Sequence, residues 1–226
     1  MLTMTNQRFY TRLALFFAVL FAAFCLWQSP GIVTGKLTTA EIDHYLTLAD
    51  QQLNLPDADK KRIITKVRAW ALADDGKPFY MLNLMRLHDK LERFPGAPDF
   101  QGTPKESNQF YEDHTMPMLI KNAGSAIYGS DIHEKALMTV NDDPAGDNWT
   151  RMLVVRYPNR RAFLQLVGSA DYAKIDAFKF MAQDILLVPT AGDLVVPDPR
   201  AIFGALLIFV FLLTGWIRSH RSNRQQ

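Results

Sequence analysis

The stretch Phe79-Tyr80-Met81-Leu82-Asn83-Leu84-Met85-Arg86-Leu87 carries apolar side chains on both parities. A strand with one wet face alternates apolar and polar residues, so this run reads as a central strand buried on two faces. Upstream of it, Thr38 with Glu41 three residues on has the form of a capping box, and Ile42, Leu46, Ala49 and Leu53 recur at helical spacing, predicting a helix over about 38–54. Asp57 is placed to cap a second helix over about 57–74, with Ile63, Ile64, Val67, Trp70 and Ala71 as its apolar stripe, and Asp75-Gly76 ends it.

Downstream, the Pro/Gly/Asp-rich residues 94–104 read as a loop. Residues 105–123 read as a helix, bent or restarted at Pro117 and closed by Gly124. Ser125 to Val140 reads as one long bulged strand, Asp142 to Asp147 as a turn, and Trp149 to Tyr157 as a second strand buried on both faces. Two helices over about 159–168 and 170–184 follow, and a last strand runs from Ile185 through Val188 towards Val195. After two leading helices the order is β-α-β-β-α-β, which predicts an α+β, ferredoxin-like domain over 77–195 with a helical extension over 36–76.

The charges divide the 226-residue chain in a way its +2 total hides. All 23 acidic residues lie between Glu41 and Asp198, while Arg8, Arg12, Arg218, Arg221 and Arg224 lie outside that span, leaving 20 basic residues against 23 acidic and a middle of net −3. That excludes a basic nucleic-acid-binding domain. A single cysteine, Cys25, excludes an internal disulfide framework and a multi-cysteine metal site. With 21% charged and 48% hydrophobic residues the chain has the composition of a folded protein.

The two ends read as membrane segments. Leu13 to Trp27 is free of charge, and the uncharged run continues to Gly35, so a transmembrane helix is expected over about 13–33 within residues 1–35. The fifteen residues 13–27 alone rise only about 22 Å, the length of a signal-peptide core, so an uncleaved anchor and a cleaved signal peptide are both open. Ala201 to Ile217 is a second span within residues 196–226. Basic flanks stay cytoplasmic, which puts both termini in the cytoplasm of a bacterial inner membrane and residues 36–200 outside it, periplasmic in a Gram-negative cell. Trp27 and Trp216 suit opposite interfaces, and Ala18 with Ala22 offers a small-residue contact for the second helix.

Met81-Leu82-Asn83-Leu84, Tyr111, Pro117, Gly124, Trp149, Arg156-Tyr157-Pro158, Phe163, Ser169 to Tyr172 and Leu187-Val188-Pro189-Thr190 form an ordered pattern. Over roughly residues 77–191 it resembles an uncharacterised-function family of the dimeric α/β-barrel superfamily. The resemblance implies a homodimer whose four-stranded sheets face one another. The superfamily includes cofactor-poor monooxygenases, haem-degrading enzymes and lactone isomerases, but the family has no agreed reaction. Where the pattern leads one to expect an arginine on the last helix, this chain has Lys179, so a clamp needing a planar guanidinium is not expected.

Five residues stand out as ligand-binding candidates. The resemblance places Asn83 facing the barrel, where a buried amide needs partners. Arg86 ends the same strand and Trp149 opens its neighbour, giving a cation and an aromatic face at one mouth. Arg156 lies at the other end, with pairing to an acid as its competing role. His114 closes the run Glu112-Asp113-His114, but successive helical residues point about 100° apart and do not serve one metal, and solvated surface is the simpler reading. No phosphate loop, nucleophile elbow or HExxH pattern is present, and no metal or cofactor is implied. The sequence therefore predicts a membrane-anchored extracytoplasmic domain that binds or transforms a small apolar or aromatic molecule, or else a non-catalytic module docking a membrane protein partner.

Overall fold

A computed structural model describes residues 4–94, 96–134, 148–192 and 198–223. In chain order these form α1 (Met4–Gln28), α2 (Gly31–Thr34), α3 (Thr39–Gln52), α4 (Asp57–Leu72), β1 (Phe79–Leu87), α5 (Pro104–Lys121), β2 (Ser125–Asp131), β3 (Arg151–Tyr157), α6 (Arg160–Val167), a 3-10 turn at Tyr172–Lys174, α7 (Asp176–Ala182), β4 (Gln183–Thr190) and α8 (Pro199–Asn223). They fall into two units: residues 30–192, and the two chain ends up to Ser29 and from Asp198.

The larger unit is α+β. Its sheet has the order β2-β3-β1-β4, and every neighbouring pair is antiparallel. The register sets Asn83 opposite Leu153 on β3 and Leu187 on β4, and Arg86 opposite Asp184. Cross-strand partners share a face, so Phe79, Met81, Asn83 and Met85 point one way with Val155 and Tyr157, and Leu82, Leu84 and Arg86 the other with Val154, Leu186 and Val188. The first set meets the helices. Phe79 stacks on Tyr157 with ring centroids 5.2 Å apart, and Trp70 of α4 and Phe163 of α6 meet edge to face at 5.6 Å. Each such contact adds about 0.5–1.5 kcal/mol beyond area burial, so this aromatic knot fixes α4 and α6 on β1 and β3.

β1 is central, as its composition predicts, but it is not buried on two faces. Leu82 and Leu84 are only partly buried, and Leu186 and Val188 on β4 are 43% and 36% exposed. At the far end of that face the cross-strand neighbours Tyr80 and Arg156 are buried. β4 pairs only with β1, so Pro189 sits on an edge strand where its missing N–H leaves no ladder gap.

Several expected boundaries shift for identifiable reasons. Thr38 caps α3 through the reciprocal contact with Glu41, but Asp57 lies in the first turn of α4 and Pro56 takes the N-cap position. α5 runs through Pro117 without a break. Ala123, with φ 56°, takes the left-handed position after α5, not Gly124. Gly124 is required for space: a Cβ there would meet Leu119 Cδ1 at 2.3 Å. β2 shows its bulge between Ala126 and Tyr128; its expected continuation to Val140, the turn at 142–147 and the end of the last strand near Val195 lie outside the described residues. β3 starts at Arg151, two residues after Trp149. The helix expected over 170–184 is a 3-10 turn followed by the seven-residue α7, because β4 begins at Gln183 and pairs that residue with Leu87.

The chain ends form the second unit. α1 and α8 run antiparallel: Tyr10 Oη lies 3.4 Å from the carbonyl of Gly215, and Phe24 lies 4.2 Å from Phe203. Gln7–Gln28 and Pro199–Arg218 are each long and apolar enough to span a membrane. The first stops short of residue 33 because Pro30 disfavours helix at Ser29. The close approach does not use Ala18 and Ala22, which are exposed; Gly204 against Phe21 and Gly215 against Tyr10 supply it.

Within the larger unit Arg161 on α6 ties down the start of the helical extension. It bonds Glu41 at 2.9 and 3.1 Å, Thr34 Oγ1 at 2.7 Å and the carbonyl of Lys36 at 3.1 Å. The Arg161 hydrogen bond, with the Thr38 backbone, lowers the Glu41 carboxyl from 4.5 to about 2. A depressed carboxylate stabilises the fold above its unfolded value and loses that contribution as pH falls through the folded one. The melting temperature of E41Q is therefore expected below wild type at pH 7, with the gap closing between pH 4.5 and about 2; a gap that stays constant across a pH series would show that Glu41 does not act through its charge.

Candidate functional site

On the helix-covered side, Asn83 sits in an otherwise apolar layer. Its Nδ2 donates to the carbonyls of Met81 at 3.0 Å and Leu153 at 3.2 Å, and its Oδ1 accepts from Lys179 Nζ at 3.4 Å. Lys179, on α7, is only 7% exposed, and its ammonium stands 5.1 Å from the centroid of the Tyr111 ring. The Tyr111 hydroxyl lies 3.2 Å from that of Tyr172. These groups border a cavity of about 70 Å³ whose apolar wall includes Met81, Leu153 and Val155. Thr115 also faces it; its buried Oγ1 has no hydrogen-bond partner among the described residues.

The sequence builds this layer through α5. Tyr111, Thr115 and Leu119 recur every four residues and share one helix face. Thr103 caps α5 and closes a second capping box with Glu106, with Pro104 in the first turn. Ser107 Oγ donates to the Phe178 carbonyl at 2.8 Å, and Gln183 Nε2 donates to Asn108 Oδ1 at 2.8 Å, joining α5 to α7 and β4. Of the run 112–114, Glu112 turns inward to Arg151, whose Nε and Nη2 donate to its two oxygens at 3.1 and 2.8 Å. Burial pushes the Tyr157 and Tyr172 phenols well up, so both remain neutral hydrogen-bond donors.

The five candidates do not form one site. Asn83 faces the helices, opposite to the barrel-facing direction expected for it, because the β1 register puts it on the parity of Met81. Arg86 and Trp149 do meet: the guanidinium stands 5.9 Å from the indole centroid, donates to Asn148 Oδ1 at 2.8 Å and pairs with Asp184 across the strands. His88 Nε2 lies 3.3 Å from the other Asp184 oxygen. The Arg86 hydrogen bonds, helped by His88, hold the Asp184 carboxyl below the usual range. This is a satisfied ionic cluster at the sheet end. His114 is exposed on α5, its ring tilted against Phe110 with centroids 4.1 Å apart, and does not border the cavity. Arg156 is fully buried at the far end of the sheet and donates to the Ala123 carbonyl.

In the sequence Lys179 stands out only as a departure from a pattern and nothing local singles out Thr115; the signal both carry is a polar character on helix faces otherwise bearing apolar residues. No group of three or more His, Cys, Asp or Glu placed to hold a metal occurs among the described residues. A larger depression of about 340 Å³ over residues 89–104 is open to solvent, and its Arg93 is turned to the carbonyls of Pro98 and Phe100. At about 70 Å³ the enclosed cavity is under half the roughly 150 Å³ that takes up benzene, too small for an aromatic guest without rearrangement.

Removing the Asn83 oxygen leaves a buried ammonium without its hydrogen-bond acceptor, so Asn83→Leu is expected to cost about 2 kcal/mol in denaturant unfolding. Thr115→Val removes an unsatisfied hydroxyl and should leave stability unchanged or raised. A stable Asn83→Leu variant would mean the amide contributes nothing to the core.

No family profile and no curated protein matches the chain. Among solved structures it is similar to the RPA0582 protein of unknown function from Rhodopseudomonas palustris, 22% identical over 57% of this chain and 90% of that one, with a TM-score of 0.46. The methylated form of that protein covers 61% of this chain and 94% of its own at 22% identity and TM-score 0.48. SnoaB, a cofactor-independent oxygenase from Streptomyces nogalater, is 10% identical over 54% of this chain and 99% of that one, with a TM-score of 0.35.

Proposed function

We propose that the chain is a membrane-anchored small-molecule-binding protein. Its α+β unit is a ferredoxin-like domain on the extracytoplasmic side, held by α1 and α8 and paired with a second copy as a dimeric α/β barrel. The observation that carries the binding reading is the cavity on the helix side: Lys179, Asn83, Tyr111 and Thr115 converge on space that the core leaves unfilled. A core built only for stability would fill such a space with apolar atoms. Native mass spectrometry of the full chain extracted in mild detergent should find a small adduct that Asn83→Ala loses while remaining folded. A wild-type protein that is empty as extracted and also takes up no added small polar molecule would sink the reading.

The apolar side of the sheet supports pairing. Leu82, Leu84, Leu186 and Val188 form a stripe across β1 and β4, and Tyr128 on β2 is 52% exposed. A second copy covering this stripe gives both sheets the second buried face that the composition of β1 calls for. Leu186→Glu with Val188→Glu is expected to convert a dimer to a monomer in light scattering with unchanged circular dichroism. The same stripe favours, as a second reading, docking onto a membrane protein partner; in that case the wild-type protein is a monomer on its own and the double variant loses a co-purifying partner.

The orientation rests on the basic flanks. Protease added outside spheroplasts should digest the α+β unit, and full protection would reverse the topology.

A further inference from the structure

The cavity beside Asn83 is lined by hydrogen-bond donors, and its two charged groups differ: Glu112 is held by Arg151, while Lys179 has no carboxylate in contact among the described residues. Lys179 is 7% exposed and has three N–H donors, of which the Asn83 oxygen takes one. No carboxylate of the described residues lies within ion-pair distance of it. The acids nearby are committed elsewhere: Glu112 to Arg151 and Asn108, and Asp176, one turn before Lys179 on α7, to the backbone and side chain of Asn54 at 2.9 and 2.7 Å. Thr115, 9% exposed, presents a hydroxyl with no partner. Between them the Tyr111 and Tyr172 hydroxyls share one hydrogen bond, which leaves one of their protons free to donate. A buried cation in an apolar setting is stabilised by a counter-charge, and the described residues place none in contact with Lys179.

We propose that this cavity binds a short-chain carboxylate, its oxygens taking the free donors of Lys179 and Thr115 and its alkyl end lying against Met81, Leu153 and Val155. This deepens, and rests on, the small-molecule reading of the same cavity. The volume of about 70 Å³ limits the guest to a few non-hydrogen atoms, the size of acetate or propionate. Lysine serves here where a guanidinium would not: a compact ammonium leaves room for the guest that a planar fork would occupy.

The test uses the full chain in detergent and carbon-13 acetate, followed by line broadening and saturation transfer, with acetamide as the neutral probe of the same shape. Acetate is expected to bind in the millimolar range, in keeping with the ceiling on affinity per atom for so small a ligand, and at least about tenfold more tightly than acetamide. Lys179→Met should lose acetate binding by a similar factor. Thr115→Val, which keeps the shape of the side chain, should weaken it about threefold with an unchanged thermal melt, so the assignment stays testable if Lys179→Met does not fold. Equal binding of acetate and acetamide overturns the carboxylate assignment and leaves the small-molecule reading standing. Displacement of acetate by equimolar chloride makes the site one for charge alone and also overturns it. Binding of neither probe overturns both.

Discussion

β1 lies between two antiparallel neighbours, and its register decides what each side chain in the sheet can do. Phe79, Met81, Asn83 and Met85 enter the helix-covered layer; Leu82, Leu84 and Arg86 take the other face. A slip of one residue would exchange the two sets, sending Arg86 into the aromatic core and Asn83 out of reach of Lys179. The slip is opposed on both sides at once. Phe79 is locked into the knot with Tyr157, Trp70 and Phe163, and Arg86 is locked onto Asp184. The aromatic end and the ionic end of one strand together hold the amide between them in place.

That placement explains why a lysine is tolerated in the core. Burying an ammonium is costly unless it is hydrogen-bonded, and α7 is too short to carry Lys179 out to solvent before β4 begins. The structure offsets part of the cost with the Asn83 oxygen and the face of Tyr111. Both are modest contributions: the hydrogen bond is long at 3.4 Å, and the ring is 5.1 Å away. Neither brings a negative charge. Arg151 nearby is treated differently, with a two-point carboxylate contact to Glu112. The layer thus holds two cations in different balance: Arg151, partly exposed and matched by a carboxylate, and Lys179, buried and held only by neutral groups.

Local signals carried most of the fold. The capping box at Thr38 and Glu41 needs only a spacing of three, and β1 needs only an unbroken apolar run, so both are legible without tertiary information. The same capping pattern at Thr103 and Glu106 was equally available and marks where α5 begins. What local signals do not contain is the competition between neighbours. The helical composition of residues 176–184 is overridden because Gln183 and Asp184 pair with Leu87 and Arg86 in the sheet. The direction of Asn83 depends on which face the helices cover, which the run 79–87, apolar on both parities, does not say. Lys179 and Thr115 are single polar residues on short or mixed helix faces, and their meeting across the layer is a property of the packing of α5 on α7.

The chain ends obey a different balance. Antiparallel pairing of α1 and α8 brings Arg8 and Arg12 to the same end of the hairpin as Arg218 and Arg221, and sets Trp27 and Trp216 at opposite ends. In water such a pair would leave Leu15, Phe16, Val19, Ile208, Phe209 and Leu212 all more than half exposed. Each large apolar side chain left in water forgoes about 1.5–3 kcal/mol of burial, so six of them forgo about 9–18 kcal/mol, comparable to the net stability of a typical domain. Lengths of 22 and 20 residues correspond to about 33 and 30 Å of helix, matching a hydrocarbon core of about 30 Å. The charge-free run of fifteen residues falls short of that thickness only because it stops counting at Arg12. The helix itself continues back to Gln7, and arginine side chains reach outward along a helix so that their charged heads stay in water while their stems cover apolar surface. A lipid phase around the hairpin would remove the cost of the exposed side chains, which is the physical content of two helices long and apolar enough to span a membrane.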